Sequence, residues 1–210
     1  MMRRIVPTVI AKSPEKLLDA IYKVKDCVDW IQLDVMDGTF APNKSLDFDF
    51  SLPDVECRFE AHLMMDHPLE WIKKHIDEVD TFLIHVESRD DLDGVIEFVK
   101  SKGKKVGLAL KVTSSLDVLE PYFDKIDQVL LMTVQIGFYG GKFLIDQVDR
   151  VKKLRKEHPE LDIEVDGGVS LDTVKLVSDA GANFLASGSY IMMSDDVGKA
   201  VCDLMNAVGD

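Results

Sequence analysis

Two aspartates, two histidines and a glutamine recur where short apolar runs of this chain end: Gln32 and Asp34, His62, His85 with Glu87 just beyond it, and Asp166. Carboxylates and imidazoles brought together can hold a divalent cation. A carboxylate paired with a carboxylic acid can take a proton from one face of a carbon and return one to the other. Proton removal beside a ketone needs the resulting enediolate stabilised, and a cation touching two oxygens supplies that charge. The two acids must then differ in protonation state, which their environments have to impose. Each residue has a plainer reading: helix N-caps for Asp34 and Asp166, satisfied core residues for His62 and His85, an inter-strand hydrogen bond for Gln32.

A second set of residues suits an anion. The turns Gly167-Gly168 and Gly188-Ser189 follow apolar runs and can present backbone N–H groups, with a short helix N-terminus expected behind them. Gly137, Phe138 and Gly140 belong to a further glycine-rich segment, 137–142. It is not a P-loop, because the spacing differs and no Ser or Thr follows Lys142.

Positioning these groups on one face requires elements of a particular order. Eight short runs rich in β-branched and apolar residues, at 5–10, 30–35, 58–63, 81–86, 105–110, 128–133, 162–165 and 183–186, alternate with segments of helical period. Leu17, Ile21, Val24 and Val28 make one apolar stripe, as do Val197, Val201, Leu204 and Val208. Ser13 before Pro14, and Ser170 before Leu171 and Asp172, predict helix starts capped by a hydroxyl. The weak link is 43–54, which allows at most a short helix. Repeated βα units make a parallel sheet, either closed as a barrel or open and doubly wound. The polar residues at the C-terminal strand ends favour the closed form, so the expectation is α/β, a single (β/α)8 TIM barrel domain over 1–210.

Composition narrows the partners. With 38 acidic and 25 basic residues the net charge is -13, which repels nucleic-acid backbones. Three scattered cysteines, Cys27, Cys57 and Cys202, suggest neither a disulfide framework nor a zinc knuckle, and a reducing, cytoplasmic setting is expected. Arg3 and Arg4 precede an apolar run too short for a signal peptide and broken by Pro7, which reads as a first strand. No run approaches the roughly 20 apolar residues a membrane span needs.

The motifs Asp34-Val35-Met36-Asp37-Gly38, His62-Leu63-Met64, Leu131-Met132-Thr133-Val134, Glu164-Val165-Asp166-Gly167-Gly168 and Ala180-Gly181-Ala182-Asn183, in this order along the whole chain, resemble the ribulose-phosphate 3-epimerases. The resemblance implies a ribulose-phosphate-binding barrel that interconverts D-ribulose 5-phosphate and D-xylulose 5-phosphate at C3, working as a homo-oligomer, dimer or hexamer. It implies catalysis by Asp34 and Asp166, and a divalent ion (zinc, iron, manganese, cobalt or magnesium) on Asp34, His62, Asp166 and a fourth ligand. It further implies substrate contacts from Thr8, His62, Met36, Met64 and Met132, and phosphate contacts from Gly137, Phe138, Gly140, Gly167, Gly168, Gly188 and Ser189.

Three departures stand out. Gln32 occupies the position of the family's first metal-binding histidine, and a neutral amide oxygen is a weaker ligand for zinc-like ions than imidazole. Thr8 replaces a serine. In the loop after the sixth run, Tyr139 takes a glycine position and no glutamine follows Gly140-Gly141. Three alternatives stay open: a hexulose-phosphate 3-epimerase, a barrel that only binds a sugar phosphate, and a decarboxylase or hexulose-phosphate synthase. The last carries Asp-x-Lys-x-x-Asp, whereas Met36 stands at the lysine position here.

Overall fold

In the computed structural model, which describes residues 2–137 and 140–209, eight parallel strands close into a barrel. The strands are β1 (Arg4–Val9), β2 (Trp30–Asp37), β3 (Lys44–Ser45), β4 (Arg58–Met64), β5 (Thr81–His85), β6 (Lys105–Leu110), β7 (Gln128–Met132), β8 (Asp162–Asp166) and β9 (Phe184–Ser187). β3 is a two-residue antiparallel addition to β2 and stands outside the ring. Closure comes from β1, which pairs with β9 through Arg4↔Phe184 on one side and with β2 through Thr8↔Gln32 on the other. The expectation of a closed (β/α)8 barrel is met. Among the described residues no helix is long and apolar enough to cross a membrane.

Helices α1 (Pro14–Val24), α2 (Leu69–His75), α3 (Leu92–Ser101), α4 (Gln147–Glu157), α5 (Val174–Ala180), α6 (Ser189–Met192) and α7 (Val197–Val208) surround the sheet. α1 starts as its sequence predicts, with Pro14 in the first turn and the Ser13 hydroxyl accepting the Lys16 N–H. It buries Leu17, Ile21 and Val24 but ends before Val28. Each such side chain contributes roughly 1.5–3 kcal/mol by leaving water.

Three local expectations are sharpened or corrected. The segment 43–54, where the sequence allows at most a short helix, holds no helix but the two-residue β3 and a loop. Pro53 breaks any helix near the end of the segment, and Phe50 is held by stacking on His75, with centroids 4.6 Å apart. Between β6 and β7 only a 3-10 turn forms, Leu116–Leu119, because Pro121 restricts the residue before it and blocks extension. α5 begins at Val174, a turn later than Ser170 predicts. The Thr173 hydroxyl instead accepts the Ser170 N–H and donates to the Gly168 carbonyl.

The two-residue period of a strand sorts the barrel's contents. On β2, Ile31, Leu33 and Val35 join the main core beneath the helices, as do Phe59, Ala61 and Leu63 on β4 and Ile163 and Val165 on β8. The alternate residues point into the barrel. At its N-terminal end Val6, Trp30 and Phe184 form an apolar plug, Trp30 meeting Phe184 edge to face at 5.6 Å. Above it lie Glu60, Gln128 and Glu164, and above those Asp34, His62 and Asp166.

Candidate active site

Register places the upper group. Asp34 pairs with His62 across β2 and β4, and Gln32 with Glu60 one step below. Asp166 reaches the same centre from β8. Its strand is separated from β2 by β9 and β1, so the two aspartates approach from different sides.

At the centre, Gln32 Nε2 donates to Asp34 Oδ1 at 2.8 Å and to Asp166 Oδ2 at 3.0 Å. His62 Nδ1 lies 3.1 Å from Asp166 Oδ2 and 3.4 Å from Asp34 Oδ1. One ligand atom from each of Asp34, His62 and Asp166 falls within 4.8 Å of the others. Gln32 Oε1 is buried with no hydrogen-bond partner among the described residues. Such an orphaned carbonyl is costly unless it finds a cation or a donor. Two carboxylates, one imidazole nitrogen and a spare amide oxygen are a donor set that fits a divalent ion.

Burial and the charge of Asp166 push the Asp34 carboxyl above its ordinary range, favouring its protonated form. Burial disfavours charge on His62, but its bonds to Asp166 and Asp34 outweigh this and raise its pKa to about 9. His62 Nε2 faces His85 Nε2 at 2.9 Å, and His85 Nδ1 faces Glu87 Oε2 at 3.0 Å. Burial drives His85 down to about 4, so this ring is neutral, while its partners His85 and Ser114 overcome burial and hold Glu87 ionised, near 2.

The sequence-selected residues divide cleanly. Thr8, Asp34, Met36, Met64, Met132 and Asp166 line one cleft, together with Gly137, Gly140, Gly167, Gly168, Gly188 and Ser189. Gln32 and His62 are fully buried beneath its floor. Phe138 and Tyr139 lie outside the described residues. Asp37, the second aspartate of the β2 motif, is structural: its oxygens accept the N–H groups of Thr39, Phe40 and Asp66.

The loop after β8 is shaped from behind. Gly167 has φ +112, and a Cβ there would run into the Val134 side chain, so only glycine fits. The Thr133 hydroxyl donates to the Gly167 carbonyl, Thr173 to Gly168 O at 2.7 Å, and Ser187 to Val169 O at 2.8 Å. With the Gly167 and Gly168 carbonyls clamped, planarity turns the next N–H groups, of Gly168 and Val169, the opposite way. α6, beginning at Ser189, is a single turn and adds little dipole.

Sequence reasoning missed the layer below. Gln128 Nε2 donates to both Glu164 and Glu60, whose carboxyls are fully buried. Burial raises Glu60 to about 7 and, with repulsion from Glu60 and Asp166, raises Glu164 well above its usual range. Both sit two residues before a site residue, Glu60 before His62 and Glu164 before Asp166. Extending the period-two pattern one step down each strand would have found them.

Comparison with known proteins is decisive for the family. The model of the ribulose-phosphate 3 epimerase family matches residues 4–192. The chain belongs to this family. It is 33% identical to the ribulose-phosphate 3-epimerase of Bacillus subtilis, covering 97% of this chain and 98% of that one. It is 32% identical to the Schizosaccharomyces pombe enzyme, over 98% and 93% of the two chains. Among solved structures, KGPDC from Streptococcus mutans superposes with a TM-score of 0.72 over 99% of this chain and 98% of that one, at 14% identity. The 3-hexulose-6-phosphate synthase of Salmonella typhimurium does so with 0.72 over 98% of each chain, at 15% identity. At these identities the superpositions speak for the barrel alone.

Proposed function

We propose that this epimerase-family barrel interconverts D-ribulose 5-phosphate and D-xylulose 5-phosphate, with Asp34 and Asp166 as the two proton-transfer groups. The observation that carries this is the pair of carboxyls entering one cleft from different sides, both tied to Gln32 Nε2. One removes the C3 proton beside the C2 ketone, and the other delivers a proton to the opposite face. The raised pKa of Asp34 supplies the acid that such a pair needs. Reversal of the reaction exchanges the roles.

Asp34, His62 and Asp166 would hold a divalent ion, with Gln32 Oε1 as fourth ligand once the amide turns over. That ion, when bound, stabilises the enediolate charge. Replacing an imidazole by an amide shifts preference from zinc towards manganese or magnesium. Met36, Met64 and Met132 make the lining around the sugar apolar and polarisable, and the buried Thr8 adds a polar side chain to it. The phosphate would rest on backbone N–H groups of Gly168, Val169, Gly188 and Ser189, helped by the 137–142 segment. Met36 at the lysine position of the synthases speaks against decarboxylation. The test is activity on ribulose 5-phosphate for metal-stripped protein and for protein reloaded with manganese, magnesium or zinc. Epimerisation that returns with the harder ions is the expected outcome; no epimerisation with any ion overturns the reading.

A further inference from the structure

His85 and Glu87 lie outside the cleft and touch none of the reacting positions, yet they form an unbroken chain, buried at His85 and half-buried at Glu87, to His62. Glu87 Oε1 accepts the Lys111 N–H at 3.0 Å and the Ser114 hydroxyl, which fixes the carboxylate. Its other oxygen faces His85 Nδ1 at 3.0 Å, and His85 Nε2 faces His62 Nε2 at 2.9 Å. A carboxylate only accepts, so Nδ1 of His85 carries hydrogen. Two N–H groups cannot point at each other across 2.9 Å, so one of the facing Nε2 atoms must be bare. A second hydrogen on His85 would make it a buried cation with the Lys111 ammonium nearby, 3.5 Å over the Phe40 ring that packs 4.9 Å from His85. Positive charge at His62, by contrast, has two carboxylates.

We propose that Glu87 and His85 are positioning residues that keep a hydrogen of His62 on Nε2, so that the nitrogen His62 frees for a cation is Nδ1, the one facing Asp34 and Asp166. The proposal rests on the metal reading above for its consequence, though not for its geometry. In a chain of this kind the outer partner selects the tautomer of the ligand, and loss of such a partner typically weakens metal binding about 10–100-fold. The sequence carries the device as His85-x-Glu87, the last residue of β5 and the second residue beyond it.

Nitrogen-15 histidine labelling reads the protonated nitrogen directly in the metal-free protein, and manganese affinity follows from the free-ion electron resonance signal. His85 is expected to show hydrogen on Nδ1 and a bare Nε2. Glu87→Gln, whose amide can donate or accept, should mix the two tautomers of His85 and weaken manganese binding about 10–100-fold. His85→Gln, which keeps an acceptor for His62, should bind within a few-fold of the parent, whereas His85→Phe should lose about 10–100-fold. This pair decides the matter if Glu87→Gln does not fold. Hydrogen found on Nε2 of His85, or equal manganese affinity in the parent and His85→Phe, overturns the proposal. If the parent binds no manganese, the metal reading falls, while the His85 tautomer still decides the positioning claim.

Discussion

Gln32 is the residue on which this site turns. Its amide gives both N–H bonds to the carboxylates of Asp34 and Asp166 and leaves its oxygen without a partner among the described residues. Gln32→His should bind manganese or zinc about 10–100-fold more tightly, on the scale of ligand-shell changes. A titration showing no gain would mean that the pocket no longer accepts an ion at that corner. For the acids, Asp34→Asn and Asp166→Asn should each lower kcat by about 100-fold or more without unfolding the protein, since a general acid or base contributes on the order of 10²–10⁴. Near-normal turnover in either variant removes that residue from proton transfer. Asp34, His62 and Asp166 were legible in the sequence because each sits in a motif at a strand end. The contact between Gln32 and both aspartates was not, since Gln32 and Asp166 are 134 positions apart and only closure of the barrel joins them.

At the scale of elements, the strands were readable almost residue by residue. Their apolar runs are short, β-branched and bounded by Gly, Pro or Asp, and a parallel strand is buried on both faces. The connections were less so. Ser170 looks like an N-cap, yet local hydrogen bonds recruit Thr173 instead and tie the helix start to Gly168. That clamp has a consequence. Thr173→Val would leave Gly168 O and Ser170 N–H without their partner, costing about 1–3 kcal/mol and letting the loop after β8 relax. The expected kinetic signature is a several-fold rise in KM for the sugar phosphate with a smaller change in kcat. A drop confined to kcat would show that the loop does not hold the phosphate. The buried Glu60, Gln128 and Glu164 layer escaped the sequence reading because polar residues two before a site residue look like ordinary strand ends until the inward face is known.

The barrel is one closed sheet in which every strand has two neighbours. The pH dependence of the whole molecule's stability should carry the imprint of the site. His62 has a folded pKa of about 9, above the 6.5 of a free imidazole. The stabilisation it gives the metal-free protein is therefore complete below pH 6.5 and is lost as pH rises through 9. Glu60, raised to about 7, acts in the same direction at the lower edge of this window. The metal-free Tm should fall between pH 6.5 and 9, and a Tm that rises there contradicts the assigned charge on His62. Metal binding displaces that proton, so affinity should increase over the same interval. The central claim, that two carboxyls exchange the C3 proton of a ketopentose phosphate, is tested most directly in heavy water. Proton magnetic resonance of ribulose 5-phosphate with the metal-loaded protein should show xylulose 5-phosphate forming and the C3 proton signals of both sugars disappearing as deuterium enters. Epimerisation with the C3 proton retained, or deuterium entering at C1 alone, would contradict it.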